Sequence, residues 1–255
     1  MQVLRRLVEN SYSVPFVNKA RLGEAVYHLK PHVEGTQLVV IYDFEASQNP
    51  LLKVTDTELA HLHDCFDFLT PLKYETEHYL LNSSQIFRLD TSDGIYKPRN
   101  NWGMEHGEVI KPDFEKELTK AKVTMGKLGS RYLDTVKRNY QTAKSFSSDK
   151  SVGFQWKRYK IQPESSQRLV RYHHDFASLI FTNSLNLTDP TNLFNGGEFV
   201  IRQNNMTSEE PALSYQQGQF QAVILENNNV EHGVTQVVPL SDEPVNRDVV
   251  IMHIQ

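Results

Sequence analysis

The polar, serine-rich stretch Ser145-Phe-Ser-Ser-Asp-Lys-Ser151 divides a chain whose hydrophobic pattern differs on its two sides. Downstream, short apolar runs alternate with turn residues, which predicts strands near 153–160, 168–175, 178–187, 197–202, 220–226, 232–238 and 247–254. Asn195-Gly-Gly197 and Asn227-Asn-Asn229 supply turn chemistry between them. Upstream the pattern is mostly helical. Leu22, Ala25, Val26 and Leu29 fall at helical spacing between Asn18 and Lys30, and Pro31 stops that run. Thr55-Asp-Thr-Glu58 has the form of a capping box and opens a helix towards Leu69. The region from Lys111 to Ala143 reads as helix with Phe114, Leu118, Leu128, Tyr132, Val136 and Tyr140 on its core side, broken near Gly126 and Gly129. Strands at 37–44 and 85–89 interrupt this half. So many strands in so short a length predict a mainly β fold with supporting helices: two packed antiparallel sheets of jelly-roll type, a double-stranded β-helix. One domain over 1–255 is expected, with helical and strand support over about 1–150 and the jelly-roll core over about 151–255.

The composition suits a packed globule. Of the 255 residues 39% are hydrophobic and 10% aromatic, which excludes a disordered chain. The net charge of −4 and a pI near 6.2 argue against a nucleic-acid partner, which calls for a basic excess. Mean hydropathy is −0.50, and no window holds the unbroken apolar run of a membrane helix. The opening Met1-Gln-Val-Leu-Arg-Arg-Leu-Val-Glu-Asn-Ser11 lacks an apolar signal core and a small-residue cleavage site, so a cytoplasmic location is expected. Cys65 is the single cysteine, which rules out an internal disulfide or a thiolate cluster. Any metal must be held by imidazole and carboxylate.

Arg171-Tyr-His-His-Asp-Phe176 carries the chemistry. On a strand, positions i and i+2 share a face, so His173 and Asp175 project together and His174 faces away. His232, in Glu231-His-Gly233, lies 57 residues beyond Asp175 and supplies a second imidazole from another strand. Two histidines and one carboxylate leave positions open on a metal, the donor set of non-heme Fe(II) oxygen chemistry, although zinc hydrolases use the same ligand types. Arg247 follows 15 residues after His232 and could grip a carboxylate in a two-pronged hydrogen bond, as the far end of 2-oxoglutarate requires. Blander readings exist. A His-x-Asp pattern occurs by chance, Arg247 followed by Asp248 could be a surface ion pair, and His61-Leu-His-Asp64 repeats the pattern on a helix, where i and i+2 diverge. Glu231 adjoins His232 but faces the opposite side, which leaves a zinc hydrolase without an evident base.

At these residues the sequence resembles the 2-oxoglutarate/Fe(II) dioxygenase family that includes bacterial free L-amino-acid hydroxylases of the L-isoleucine 4-hydroxylase kind. The matching segments are Gly153-Phe-Gln-Trp-Lys-Arg-Tyr-Lys160, His173-His-Asp175 leading into Asn186-Leu-Thr188, Gly196-Gly197, Val230-Glu-His-Gly-Val-Thr-Gln-Val-Val-Pro-Leu240 and Arg247-Asp-Val-Val-Ile251. Asp93-Gly-Ile-Tyr-Lys-Pro-Arg99 is a fainter echo. The resemblance implies Fe(II) ligands at His173, Asp175 and His232, a 2-oxoglutarate anchor at Arg247, and a lesser anionic contact at Arg158. His174 between the ligands and Phe176 after them depart from the isoleucine-hydroxylase pattern and loosen the link to its substrate. The implied reaction couples decarboxylation of 2-oxoglutarate to hydroxylation of a C–H bond with dioxygen. The substrate would be a small molecule, a free L-amino acid or close derivative. Arg99, Arg171 and Arg158 are candidates for its carboxylate, Glu198 or Asp93 for its ammonium, and Tyr172 for the pocket wall; Trp156 reads as core. A peptide- or carrier-bound residue as substrate, and a non-catalytic metal-dependent jelly-roll binder, are the alternatives.

Overall fold

The computed structural model describes residues 16–17, 24–29, 37–43, 54–68, 71–72, 79–82, 86–89, 96–98, 112–140, 143, 152–164, 168–175, 181–203, 211, 213–226 and 230–254. The first strands are β1 (Phe16–Val17), β2 (Glu24–Leu29) and β3 (Gln37–Asp43). Helix α1 (Asp56–Asp64) and a 3-10 turn at Cys65–Phe68 follow, then β4 (Pro71–Leu72), β5 (Tyr79–Asn82), β6 (Ile86–Leu89) and β7 (Tyr96–Pro98). Helix α2 (Pro112–Asn139) leads into β8 (Val152–Ile161), β9 (Arg168–His173), β10 (Phe181–Asn186), β11 (Phe194–Gly196) and β12 (Phe199–Gln203). The chain closes with β13 (Leu213–Tyr215), β14 (Gln221–Glu226), β15 (Val230–Pro239) and β16 (Val245–Ile254). Among the described residues no helix is long and apolar enough to cross a membrane.

All strand pairs among the described residues are antiparallel. The large sheet runs β1-β2-β3-β14-β10-β16-β8-β5-β4, with β6 also on β8 and β7 on β6. The small sheet runs β11-β15-β12-β13, with β9 on the free side of β15. Residues of both sheets meet in two interior apolar clusters, one around Phe199, Ile201 and Val223, the other around Tyr159, Phe194 and Val249. This is the expected jelly roll. A pocket with ionisable groups on a largely apolar wall lies between those clusters, lined from both sheets.

Helix α2 covers the other face of the large sheet. Leu118, Ala121, Met125, Leu128, Tyr132 and Val136 recur every three or four residues and bury one stripe against Phe154, Trp156, Leu185, Ile224 and Met252. The Tyr140 hydroxyl donates to the Ile224 carbonyl at 3.0 Å and pins the helix end. Contrary to the expected break, α2 is continuous through Gly126 and Gly129. A glycine costs a helix about 1 kcal/mol, and burying the stripe on either side outweighs that. The α1 capping box forms as read: Glu58 N–H donates to Thr55 Oγ1 and Thr55 N–H to Glu58 Oε2. The helix expected from Asn18 to Lys30 is corrected. Residues 24–29 are strand β2, in register with β3 from Glu24 opposite Tyr42 to Leu29 opposite Gln37. Of the apolar positions at helical spacing, Ala25, Val26 and Leu29 fall in β2 and are also compatible with a strand, and the ladder offered by β3 decides between them. Phe114 falls outside the described side chains.

Candidate metal centre

His173 ends β9 and sits directly opposite His232 on β15. The register shifts between His232 and Val234, a bulge that accommodates Gly233. A Cβ at Gly233 would lie 2.7 Å from the Val170 carbonyl oxygen, so this approach of β9 to β15 calls for glycine. Asp175 lies two residues beyond the strand end and still points inward, while His174 is exposed, its Nε2 3.7 Å from Glu231. His173 Nε2 lies 3.6 Å from Asp175 Oδ1, and His232 Nε2 lies 3.7 Å from Asp175 Oδ2. One donor atom from each of the three residues falls within 4.8 Å of the others. The imidazole centroids are 4.4 Å apart, and Phe199 stacks on the His232 ring.

The protonation of these groups suits a cation. His173 Nδ1 is 2.9 Å from the Arg171 carbonyl oxygen, which can only accept, so Nδ1 carries a proton and Nε2 is the ring nitrogen turned to Asp175. Burial pushes His232 down to about 3, against the pull of Asp175, which leaves its ring neutral. His232 Nδ1 is buried without a hydrogen-bond partner among the described residues. Burial alone would raise the Asp175 carboxyl. The adjoining His173, the nearby His232 and His253 rings and the Thr182 hydroxyl outweigh it and hold the group below the usual carboxylate range. A neutral imidazole at His232 and an ionised carboxylate at Asp175 are the protonation states in which these ligands bind metal.

Arg247 enters the same pocket from β16 and is 2% exposed. Its Nη1 donates to the Gly197 carbonyl at 2.8 Å and its Nη2 to Gln217 Oε1 at 3.4 Å, while Nε has no partner among the described residues. Among the described residues no carboxylate pairs with it. Burial pushes it down to about 10, partly offset by Tyr159 and Glu198, so it stays cationic at neutral pH. Gly197 makes this seat: its φ is +76°, and a Cβ there would lie 2.9 Å from Arg247 Nη1. A buried guanidinium held by two neutral acceptors, with Nε–H among its remaining donors, is suited to receive an anion. The pocket, about 50 Å³, is also lined by Lys157, Tyr159, Thr182 and Ser184.

Arg158 is not in this pocket. The register sets Arg247 opposite Tyr159 and Asp248 opposite Arg158, so Arg158 and Asp248 share the outer face. There Arg158 Nε and Nη2 donate to the two Asp248 oxygens at 2.8 Å, and Nη1 donates to Asp67 at 2.8 Å. Arg247 is correspondingly no surface ion pair with Asp248. Arg171 is exposed, and Tyr172 is flanked by the guanidinium carbons of Arg168 and Arg202 at 4.8 and 4.1 Å from its ring centre, outside the pocket lining. Glu198 accepts from the Thr235 hydroxyl, and Trp156 is fully buried in the outer core. Glu231 pairs with Arg202 and turns from the pocket, as alternation requires. His61 and His63 sit on α1 and join no metal-binding group among the described residues. Asp93, Arg99 and Phe176 lie outside the described residues. The cation that sequence reading missed is Lys157. Its parity with Tyr159 would have identified it once Arg247 was taken as inward-facing.

The sequence matches no protein-family model and no curated protein. Its fold does match solved structures. IDO from Bacillus thuringiensis aligns over 85% of this chain and 92% of its own at 14% identity and a TM-score of 0.53. TqaL, described as an Fe(II)/(alpha)ketoglutarate-dependent dioxygenase, aligns over 85% and 82% at 14% identity and a TM-score of 0.57. An oxidoreductase of the 2OG-Fe(II) oxygenase family from Burkholderia pseudomallei aligns over 85% of each chain at 15% identity and a TM-score of 0.50. At such identities the likeness is one of fold.

Proposed function

We propose that this protein is an Fe(II)- and 2-oxoglutarate-dependent dioxygenase that hydroxylates a C–H bond of a free L-amino acid or close derivative. The observation that carries the reading is the convergence of His173, Asp175 and His232 in one pocket with a buried Arg247 that has no carboxylate partner among the described residues. Either feature alone is compatible with a structural role. Together they match a metal and a dicarboxylate that bridges from it to a distal cation. The shared fold with TqaL supports the same class, and residues 151–255 would form the catalytic core.

His173, Asp175 and His232 would hold the iron, which when bound supplies the oxidative chemistry that the protein's own side chains cannot perform. The residues of the chain bind and orient. Arg247 would receive the distal carboxylate of 2-oxoglutarate, with Gly197 and Gln217 fixing the direction of its guanidinium. Lys157 places a second positive charge on the pocket wall, suited to another carboxylate of cosubstrate or substrate. Val170, Val234, Val249 and Ile251 line the remaining wall with aliphatic surface and limit water around the reacting groups. Retention of Asp175 favours hydroxylation over halogenation, because a halide would need the carboxylate's position.

The test is anaerobic reconstitution with Fe(II) and 2-oxoglutarate, followed by oxygen and a pool of L-amino acids. Succinate release matched by one added oxygen atom in a pool member is the expected result. Absence of both metal-dependent 2-oxoglutarate binding and succinate release would overturn the class. Succinate release driven only by peptide or carrier-bound substrates would overturn the free amino acid.

A further inference from the structure

We infer that Thr182 and His253 form a hydrogen-bonded strut behind Asp175 that gives its two carboxylate oxygens different tasks. One oxygen is tied to the protein and the other is left for a metal. The inference rests on the metal-centre reading above and adds two positioning residues to it.

Thr182 on β10 and His253 on β16 are directly opposite in the large sheet, and both face the interior. They are 3% and 4% exposed, so solvent does not compete for their polar atoms. The Thr182 hydroxyl donates to Asp175 Oδ2 at 2.5 Å, and its oxygen lies 3.2 Å from His253 Nδ1. An ionised carboxylate can only accept, so the single hydroxyl proton is committed to it. The hydroxyl oxygen can then only accept from His253, which places the ring proton on Nδ1. A one-way chain results: His253 Nδ1–H to Thr182, and Thr182 O–H to Asp175 Oδ2. Asp175 Oδ1 lies on the His173 side, 3.6 Å from Nε2, a longer contact than the Thr182 bond to Oδ2, which itself lies 3.7 Å from His232 Nε2.

The arrangement has a consequence for coordination. A carboxylate with both oxygens free can chelate an ion, which with two imidazoles would fill four of six octahedral positions. Holding Oδ2 would favour a single bond from Asp175 to a bound metal and so leave more of the ion's positions free for further ligands. The strut is built across two neighbouring strands, so the sheet itself sets its geometry.

The experiment uses the full chain loaded with cobalt(II) alone, whose visible absorption reports coordination number. Thr182→Val removes the donor at nearly constant shape. We expect cobalt(II) affinity to fall about tenfold or more, the absorption to change in shape, and the melting temperature of the metal-free protein to stay close to wild type. Thr182→Ser, which keeps the hydroxyl, restores both affinity and spectrum. If Thr182→Val does not fold, His253→Phe removes the next donor in the chain and is read in the same way. A variant with wild-type affinity and spectrum overturns the strut. Adding 2-oxoglutarate to the cobalt(II) protein separates the two readings, because a wild-type spectrum unmoved by it counts against the dioxygenase and leaves the strut standing. A wild-type protein that binds no cobalt(II) overturns both.

Discussion

Arg247 and Asp248 are consecutive on β16 and serve opposite faces of the same sheet. Asp248 turns outward to the side covered by α1 and the 3-10 turn, where Arg158 meets it with two hydrogen bonds and Asp67 completes the network. Arg247 turns inward and, among the described residues, finds one backbone carbonyl, one amide oxygen and no carboxylate. Equal burial therefore has different energetic meaning on the two sides. The outer charges are matched within the fold and contribute to its stability. The inner cation is incompletely served, an arrangement that makes sense if a ligand completes it.

Exchanging each charge for a neutral side chain separates the two roles, and the largest effect is expected on the inner face. Arg247→Met should weaken 2-oxoglutarate binding to the Fe(II) protein by about 100-fold or more, the loss of roughly 3 kcal/mol expected when one partner of a desolvated charge pair is removed. Its unfolding free energy should stay within about 1 kcal/mol of wild type, because an unpaired buried charge is replaced by an apolar chain of similar length. Equilibrium binding and urea unfolding on the same preparation measure both. Unchanged binding, or a large loss of stability, would place Arg247 among the structural charges.

Asp248→Asn should give the converse. Breaking a buried pair costs about 3–5 kcal/mol when the remaining charge is stranded. Arg158 retains Asp67 and some solvent contact, with its side chain 18% exposed, so about 2 kcal/mol is the expected loss. Affinity for 2-oxoglutarate should hold within about threefold, since 1.4 kcal/mol corresponds to a tenfold change and the outer pair touches none of the pocket. A fall in affinity larger than the fall in stability would mean that the two faces are coupled through β16.

The same contrast explains what was legible in the sequence. Seven of the nine strands described after Ser151 were readable because each is an apolar run bounded by turn residues, whereas β11 and β13, three residues each, are too short to show one. The candidate metal-binding trio was readable because His173 and Asp175 share strand parity. Parity failed only where it lacked a reference. Both Lys157 and Arg158 are cations on β8, and the pairing of Arg247 with Tyr159, a fact of register, decides which one faces the pocket. Thr182 and His253 carry no local signal at all. They lie 71 residues apart and acquire a role only when β10 and β16 align them behind Asp175. The upstream half was harder for another reason: strand β2 is defined by the edge of β3, a partner that local periodicity cannot show.

The smallest expected effect lies at the rim of the outer network. His63 Nδ1 is 4.0 Å from Asp248 Oδ2, at the border of the matched charges. Burial lowers its affinity for a proton below the ordinary value of 6.5, and Arg158 adds to that, while Asp248 pulls the other way without prevailing. The folded protein therefore binds fewer protons at this site than the unfolded chain does. Its contribution to stability is fully present above pH 6.5 and is lost as pH falls through the lower folded value. His63→Gln should flatten this part of the stability profile just below pH 6.5, measured by urea unfolding at closely spaced pH values in the metal-free protein. The variant should leave 2-oxoglutarate binding at neutral pH unaltered, because His63 belongs to the face whose charges are already satisfied. A steeper profile in the variant would mean that Asp248 governs His63, and that the outer network draws a proton in rather than excluding it.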